Sequence, residues 1–410
     1  MKHSKCVLTA GLLLALSITG SAQAPAPAPA ATTPAAPAAP AAPAAPSALP
    51  TPAITGPLSQ LPPATVDMGA FGKISVNGIL DGVGMLTQNS VPGDSTSQIG
   101  LGNGQLFVQK TDGWFQFYVQ AGAYNLPALG TPFTATDKTV SNLYGPVPVA
   151  FVKLQPGKNT SIQIGELPTL IGAEYTFTFE NMNIERGLLW NQETAISRGI
   201  QLNQTMGKVS ASISWNDGFY SNRYSWLSGS LAYASGPHTI AFVAGGNMSQ
   251  TAFQTPATPV QNNGSIYNVI YTYNKGSWIL QPYYQYTTVP TNAKIGVTNG
   301  AATNGFALLV NHGFAHGFSL PFRFEYISSN GSAKAGSVNL LYGPGSSATT
   351  LTLTPTFQTG GFFVRGDVSY VSLSGQPAAG GFGTYGASGS QVRAVAEFGY
   401  IFGNNIVEKK

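Results

Sequence analysis

From Lys73 onward the chain is written in short runs that alternate large apolar residues with small polar ones. In 390–402, Val392, Ala394, Ala396, Phe398, Tyr400 and Phe402 fall on one parity, and Arg393 and Glu397 on the other. In 317–328, Phe318, Leu320, Phe322, Phe324 and Tyr326 oppose Arg323 and Glu325. In 348–358, Leu351, Leu353, Pro355 and Phe357 oppose Thr350, Thr352, Thr354, Thr356 and Gln358, and in 208–216, Val209, Ala211, Ile213 and Trp215 oppose three serines. A period of two marks strands with two unlike faces. One face is greasy enough for lipid, and the other is built of Ser, Thr and Gln and calls for water.

Sixteen such runs follow one another: 73–87, 103–110, 114–123, 147–154, 159–167, 196–205, 208–216, 223–234, 237–247, 265–274, 277–287, 303–314, 317–328, 348–358, 361–372 and 390–402. The runs 147–154 and 196–205 alternate less cleanly. Tight connections such as Thr111-Asp112-Gly113, Met206-Gly207, Ser235-Gly236 and Lys275-Gly276 take turns with long gaps. An even number of roughly ten-residue strands, with short turns at one end and long loops at the other, predicts an all-β fold, a transmembrane antiparallel β-barrel. Aromatics beside the tight turns (Trp114, Tyr273, Trp278, Phe318, Phe357 and Phe362) suit a girdle at one membrane interface.

Composition agrees with a two-faced wall. Only 8% of the 410 residues are charged, 49 are Gly, and 40 are Tyr or Phe (18 and 22). Mean hydropathy is +0.06, neither that of an apolar helical membrane protein nor that of a charged soluble one. The formal net charge of +4 and the absence of a Lys/Arg cluster before Lys409-Lys410 exclude a nucleic-acid partner. Residues 1–24 read as a secretory signal peptide, with Lys2, His3 and Lys5 before the apolar run Val7–Ile18 and a small-residue end Ala22-Gln23-Ala24. The one cysteine, Cys6, falls inside it, which removes thiol chemistry from the mature chain. Residues 25–63, mostly Ala, Pro, Thr and Ser, read as a disordered periplasmic linker of about 100 Å reach, and 64–410 as the barrel.

The densest charge lies in 168–195, the third long loop, with Glu174, Glu180, Glu185, Arg186 and Glu193. The same stretch carries Tyr175, Phe177, Phe179, Met182, Ile184, Leu188, Leu189 and Trp190, more apolar surface than an exposed loop would hold. The expectation is therefore an inward-folded third loop that narrows the pore. Its charges would face a wall set of Arg198, Arg223, Arg323, Glu325, Arg365, Asp367, Arg393 and Glu397 and filter solutes by a transverse field. The competing readings are a solvated external loop and, for the wall arginines, cross-strand pairs such as Arg365 with Glu397.

No cofactor, metal site or catalytic constellation is expected. His3, His238, His312 and His316 have no partner at useful spacing, and the Gly-rich run 380–389 opens no helix. The runs FTFENMNIERGLLWNQE (177–193), SWNDGFYSNRY (214–224), LLYGPGS (340–346) and RAVAEFGYIFGNN (393–405) resemble the bacterial putative β-barrel porin-2 family, described as OmpL-like. The resemblance implies an outer-membrane porin that passes small hydrophilic solutes, with membrane lipid around it. General porins are usually trimers, which extends the expectation to a homotrimer. One departure from general porins is that Phe402 is followed by GNNIVEKK rather than standing last. The alternative function is a structural or adhesive barrel, its lumen closed by the loop and its wall tethered through the Ala/Pro stretch.

Overall fold

The computed structural model describes residues 52–248, 251–252 and 260–404. The signal peptide and residues 25–51 of the expected linker lie outside them. The described chain forms β1 (Ala64–Asp67), β2 (Lys73–Gln88), β3 (Ser97–Lys110), β4 (Phe115–Tyr124), β5 (Val149–Gly157), β6 (Thr160–Pro168), β7 (Ile196–Met206), β8 (Val209–Asn216) and β9 (Trp226–Ser235). It continues through β10 (His238–Asn247), β11 (Ser265–Lys275), β12 (Trp278–Val289), β13 (Ala301–Gly313), β14 (Phe318–Ser329), β15 (Ser347–Leu353), β16 (Thr356–Thr359), β17 (Phe362–Ser374) and β18 (Ser390–Phe402).

From β2 to β14 each strand pairs antiparallel with the next in sequence, β17 pairs with β18, and β18 returns to β2, from Val392 opposite Gln88 to Phe402 opposite Gly78. The sheet is therefore closed. β15 and β16 form one wall strand, because both pair with β14 and with β17. The break between them holds Pro355, which has no N–H to give to the ladder; its carbonyl still accepts from Gly366 N (3.0 Å). Sixteen wall strands result, at the positions the alternation predicts. Closure leaves no unpaired edge, which a wall in hydrocarbon requires.

The two faces separate as the parity demands. β18 alternates exposed and buried along almost its whole length. Leu80, Leu106, Leu202, Ile213, Phe242, Leu351 and Phe398 stand exposed on the outer face, and Ser, Thr, Asn, Gln and all the strand arginines from Arg323 onward lie on the inner one. At the tight turns Trp114, Trp278 and Phe318 stand exposed, and Phe318 meets Phe357 with ring centroids 4.7 Å apart. Tyr273, Phe357 and Phe362 beside the same turns are half-buried.

Three features depart from the expectation. β3 begins at Ser97 rather than 103; it is the partner of β2 across a register shift at Asp81/Gly82. A short helix, α1 (Thr136–Asn142), occupies the second long loop. The third departure concerns the linker. Residues 52–63 are packed against the barrel rather than free, and β1 pairs with the start of β2, taking over that edge just beyond the end of β18. Leu61 O accepts from Asn77 Nδ2 (3.0 Å), and Pro62 O from Asn404 N (2.8 Å). Ser59 exchanges two hydrogen bonds with Gln358, at 2.7 and 2.9 Å. Leu58 is buried among Ile79, Phe363 and Ile401.

Candidate functional site

The loop between β6 and β7 is buried along nearly its whole length. Phe177, Phe179, Met182, Ile184, Leu188 and Leu189 are each at most 5% exposed; Tyr175 and Trp190 are half-buried. Phe177 and Phe179 stack with centroids 5.9 Å apart, and they meet Tyr124 and Phe107 of the wall at 5.3 and 5.6 Å. Apolar burial of this size holds a segment that has no regular structure of its own.

Polar contacts then set its position. Arg323 Nη1 donates to Glu174 Oε1 at 2.5 Å and to Glu185 O at 2.7 Å, with Glu325 3.5 Å away. Glu325 accepts from the backbone N–H groups of Leu188 (3.0 Å) and Leu189 (3.1 Å). Arg365 donates to the carbonyls of Thr178, Asn181 and Met182 at 2.8–3.0 Å and to Glu397 at 3.1 Å. Asp367 accepts from Glu185 N (2.9 Å). Arg393 Nη1 donates to Glu185 Oε1 (2.9 Å), and Ser369 bonds the other Glu185 oxygen (3.1 Å). From β12 and β13, Gln285 reaches Leu189 O (2.9 Å) and Thr303 reaches Gln192 (2.7 Å). The irregular backbone thus finds on the wall the partners a helix would have given it.

Gly187 marks the closest approach. A Cβ there would stand 2.2 Å from Glu325 Oε1, so only glycine lets the loop backbone reach that carboxylate. On the tight-turn side the loop meets the 52–63 segment. Glu180 accepts from Ala53 N (3.1 Å) through one oxygen and from Phe177 N (3.1 Å) through the other, and Thr55 N bonds Glu180 O. At Gly56 a Cβ would come within 2.4 Å of Asn181 O.

Burial governs the titration of the loop. It pushes the Glu180 carboxyl up to about 7, against the two backbone N–H donors that oppose it. Glu174 is raised by burial although Arg323 pulls the other way, and Glu193 by burial together with Glu174 and Glu325. Arg186 is lowered by burial to about 10 and stays cationic at neutral pH. Its guanidinium lies 4.9 Å from the Trp190 ring centroid, and among the described residues no hydrogen bond reaches it.

All five loop residues singled out from the sequence are buried here. Of the wall set, Arg323, Glu325, Arg365, Asp367, Arg393 and Glu397 are inward, each at most 2% exposed. Two are not wall residues of the lumen. Arg198 shares parity with the outward Ile200 and Leu202, pairs with Asp217 (2.9 Å) and stacks on Tyr220 (3.9 Å). Arg223 precedes β9 in an exposed loop. A second correction concerns the field. Arg323, Arg365 and Arg393 touch carboxylates directly instead of facing them across an opening. Sequence reasoning also missed Asp81, bonded to Asn103 N and Nδ2 at 2.9 and 2.8 Å. Asn103 in turn donates to Thr178 Oγ1 of the loop (2.8 Å). The lone acid of the first wall strand was the available signal.

What the loop leaves open lies elsewhere. A cavity of about 280 Å³ is bounded by Leu170, Gly172, Ala173, Tyr175 and Met182 on the loop side, by Thr55, and by inward residues of β8–β12. It extends from Pro237 and Asn274 beside the tight turns up to Leu170. Among the described residues, no group of three or more His, Cys, Asp or Glu is placed to hold a metal.

Residues 73–402 match the family described as putative beta-barrel porin-2, OmpL-like. The chain belongs to this family. Family and wall together make it an outer-membrane β-barrel of porin type. No curated protein matches it. Among solved structures it is similar to the anion-selective porin from Comamonas acidovorans (TM-score 0.57, 15% identity, covering 80% of this chain and 99% of that one). It is also similar to the outer membrane channel DcaP of Acinetobacter baumannii (0.54, 9%, 83% and 100%). A third is Salmonella typhi OmpF in complex with daunomycin (0.52, 14%, 80% and 98%). At these identities the likeness is one of fold.

Proposed function

We propose that this porin passes small hydrophilic solutes by passive diffusion, through a barrel narrowed by the loop 168–195 folded into its lumen. The observation that carries the reading is the cavity left between that loop and β8–β12. The loop bonds to inner-face residues of strands as far apart as β3, β12 and β18, which supports a loop that crosses the lumen. Arg323, Arg365 and Arg393 are each held in an ion pair rather than set beside a nucleophile, and we read the protein as a channel and not an enzyme. A homotrimer belongs to the same reading, on the likeness to general porins alone.

The second reading, a structural barrel with a closed lumen, draws on the clasp between loop and N-terminal segment at Glu180. Planar-bilayer recording of the refolded full chain separates the two. Stepwise openings that grow when residues 174–190 are deleted support the porin. A folded barrel that never conducts, with or without the loop, overturns it.

A further inference from the structure

The cavity and the ion pairs of the wall occupy different parts of the barrel. Arg323, Arg365 and Arg393, with the carboxylates that hold them, sit on β14, β17 and β18, where the loop covers them. The cavity lies along β8–β12, and among the described residues no charged side chain lines it. On the strands it presents hydroxyls and amides, from Ser212, Ser230, Thr239, Thr272, Asn274 and Gln281. Interleaved with these, and facing them from the loop, are apolar side chains that include Leu170, Met182, Val243, Ile270 and Ile279. Five aliphatic and thioether chains of this kind are an unusual lining for a path meant for hydrated ions.

On the porin reading above, we propose that the permeant class is neutral solutes with a hydroxyl- or amide-bearing edge and an apolar face, such as uncharged glycosides. An ion entering a narrow passage gives up hydration, and uncharged walls return only part of it. Rings of charge are what porins and channels use to offset that loss. Here each wall arginine is already in contact with a carboxylate, so the field of the pair falls off steeply with distance and little reaches the cavity. A neutral solute of the right kind loses less. Its hydroxyls exchange water for Thr239, Thr272 or Gln281, and its hydrocarbon surface meets Met182, Val243 and Ile270. The volume suits a solute at the small end of the range that pockets accept.

The test is swelling of proteoliposomes that contain the refolded full chain. The probes are sorbitol, gluconate of nearly the same size, and phenyl glucoside. The expected result is that sorbitol enters at least about tenfold faster than gluconate, and that phenyl glucoside is not excluded in spite of its larger size. Thr272→Lys, at a half-buried position near the tight turns, should raise gluconate entry at least about fivefold and leave sorbitol entry within about twofold. Thr239→Lys is the second variant, should the first not fold. Gluconate entering as fast as sorbitol in the unaltered protein overturns the proposed solute class and leaves the porin standing. Failure of all three probes to enter overturns the porin reading itself, and the solute class with it.

Discussion

The half of the barrel made by β14–β18 and the half made by β8–β12 share a ladder, an outer face and a turn pattern, but differ in what they turn inward. The first presents Arg323, Glu325, Arg365, Asp367, Arg393 and Glu397, none more than 2% exposed. The second presents Ser212, Ser230, Thr239, Thr272 and Gln281, mostly half-buried and beside a cavity. The charges therefore work as fasteners. They hold a loop that has no regular backbone partners of its own, and the wall carboxylates Glu325 and Asp367 that accept loop N–H groups are themselves held by a guanidinium or a hydroxyl. Charged residues on an inner wall do not by themselves make a selectivity filter; what matters is whether they are still free once the loop has docked. Beside the neutral half the loop leaves a cavity.

The largest effect should come from the charged half. Arg323→Ala leaves Glu174 and Glu325 buried without their guanidinium, and breaking a buried pair from one side costs about 3–5 kcal/mol. Urea unfolding in lipid vesicles reads this directly. Thr272→Ala on the neutral half is expected to stay within about 0.5 kcal/mol. Similar losses for the two variants would mean that the halves do not differ in the way described.

The next effect is a pH dependence that belongs to the loop. The Glu180 carboxyl is raised from its usual value of 4.5 to about 7 by burial. The folded protein therefore holds this proton more tightly than the unfolded chain does. Unfolding stability should fall as pH rises from about 4.5 to 7 and level off above that, by up to about 3 kcal/mol for this group. Glu174 and Glu193, raised by the same cause, act with the same sign. Glu180→Gln should flatten the slope without abolishing it. Arg186, Tyr175 and Tyr118 also face this carboxylate, and they stay in the variant. A slope unchanged by Glu180→Gln would show that Glu180 is solvated and the clasp with Ala53 is not formed.

Parity made the charged half readable from sequence. An arginine or glutamate on the parity opposite the aromatics is expected to face inward, and Arg323, Glu325, Arg365, Asp367, Arg393 and Glu397 are all buried on that parity. Arg198 defeated the same logic because ISRGIQLNQTM has polar residues on both parities, and only the exposure of Ile200 and Leu202 fixes its face. The start of β3 was hidden because Gly100, Gly102 and Gly104 leave one face without side chains to count. The half beside the cavity was legible as neutral strands but the cavity was not, since which strands the loop packs against depends on contacts more than a hundred residues apart. The 52–63 segment gave no signal at all: PAITGPLSQLPP has neither period, and its order comes wholly from partners such as Gln358, Asn77 and Glu180.

That segment touches both halves, which makes it the finest probe of the contrast. It is clasped to Gln358 and Asn77 on the filled side, and its Thr55 lines the cavity on the open side. Gln358→Ala removes the two partly exposed hydrogen bonds to Ser59, worth about 1 kcal/mol together. Hydrogen exchange of a peptide covering 52–61 should speed up about fivefold, while peptides from 177–189 keep their protection because Arg365 and Glu325 still hold them. The loosened segment should also let sorbitol into proteoliposomes somewhat faster, since Thr55 forms part of the cavity wall. If both peptides lose protection together, the segment and the loop are one unit, and the open half is then bordered by a single plug rather than by a fixed loop and a separate strap.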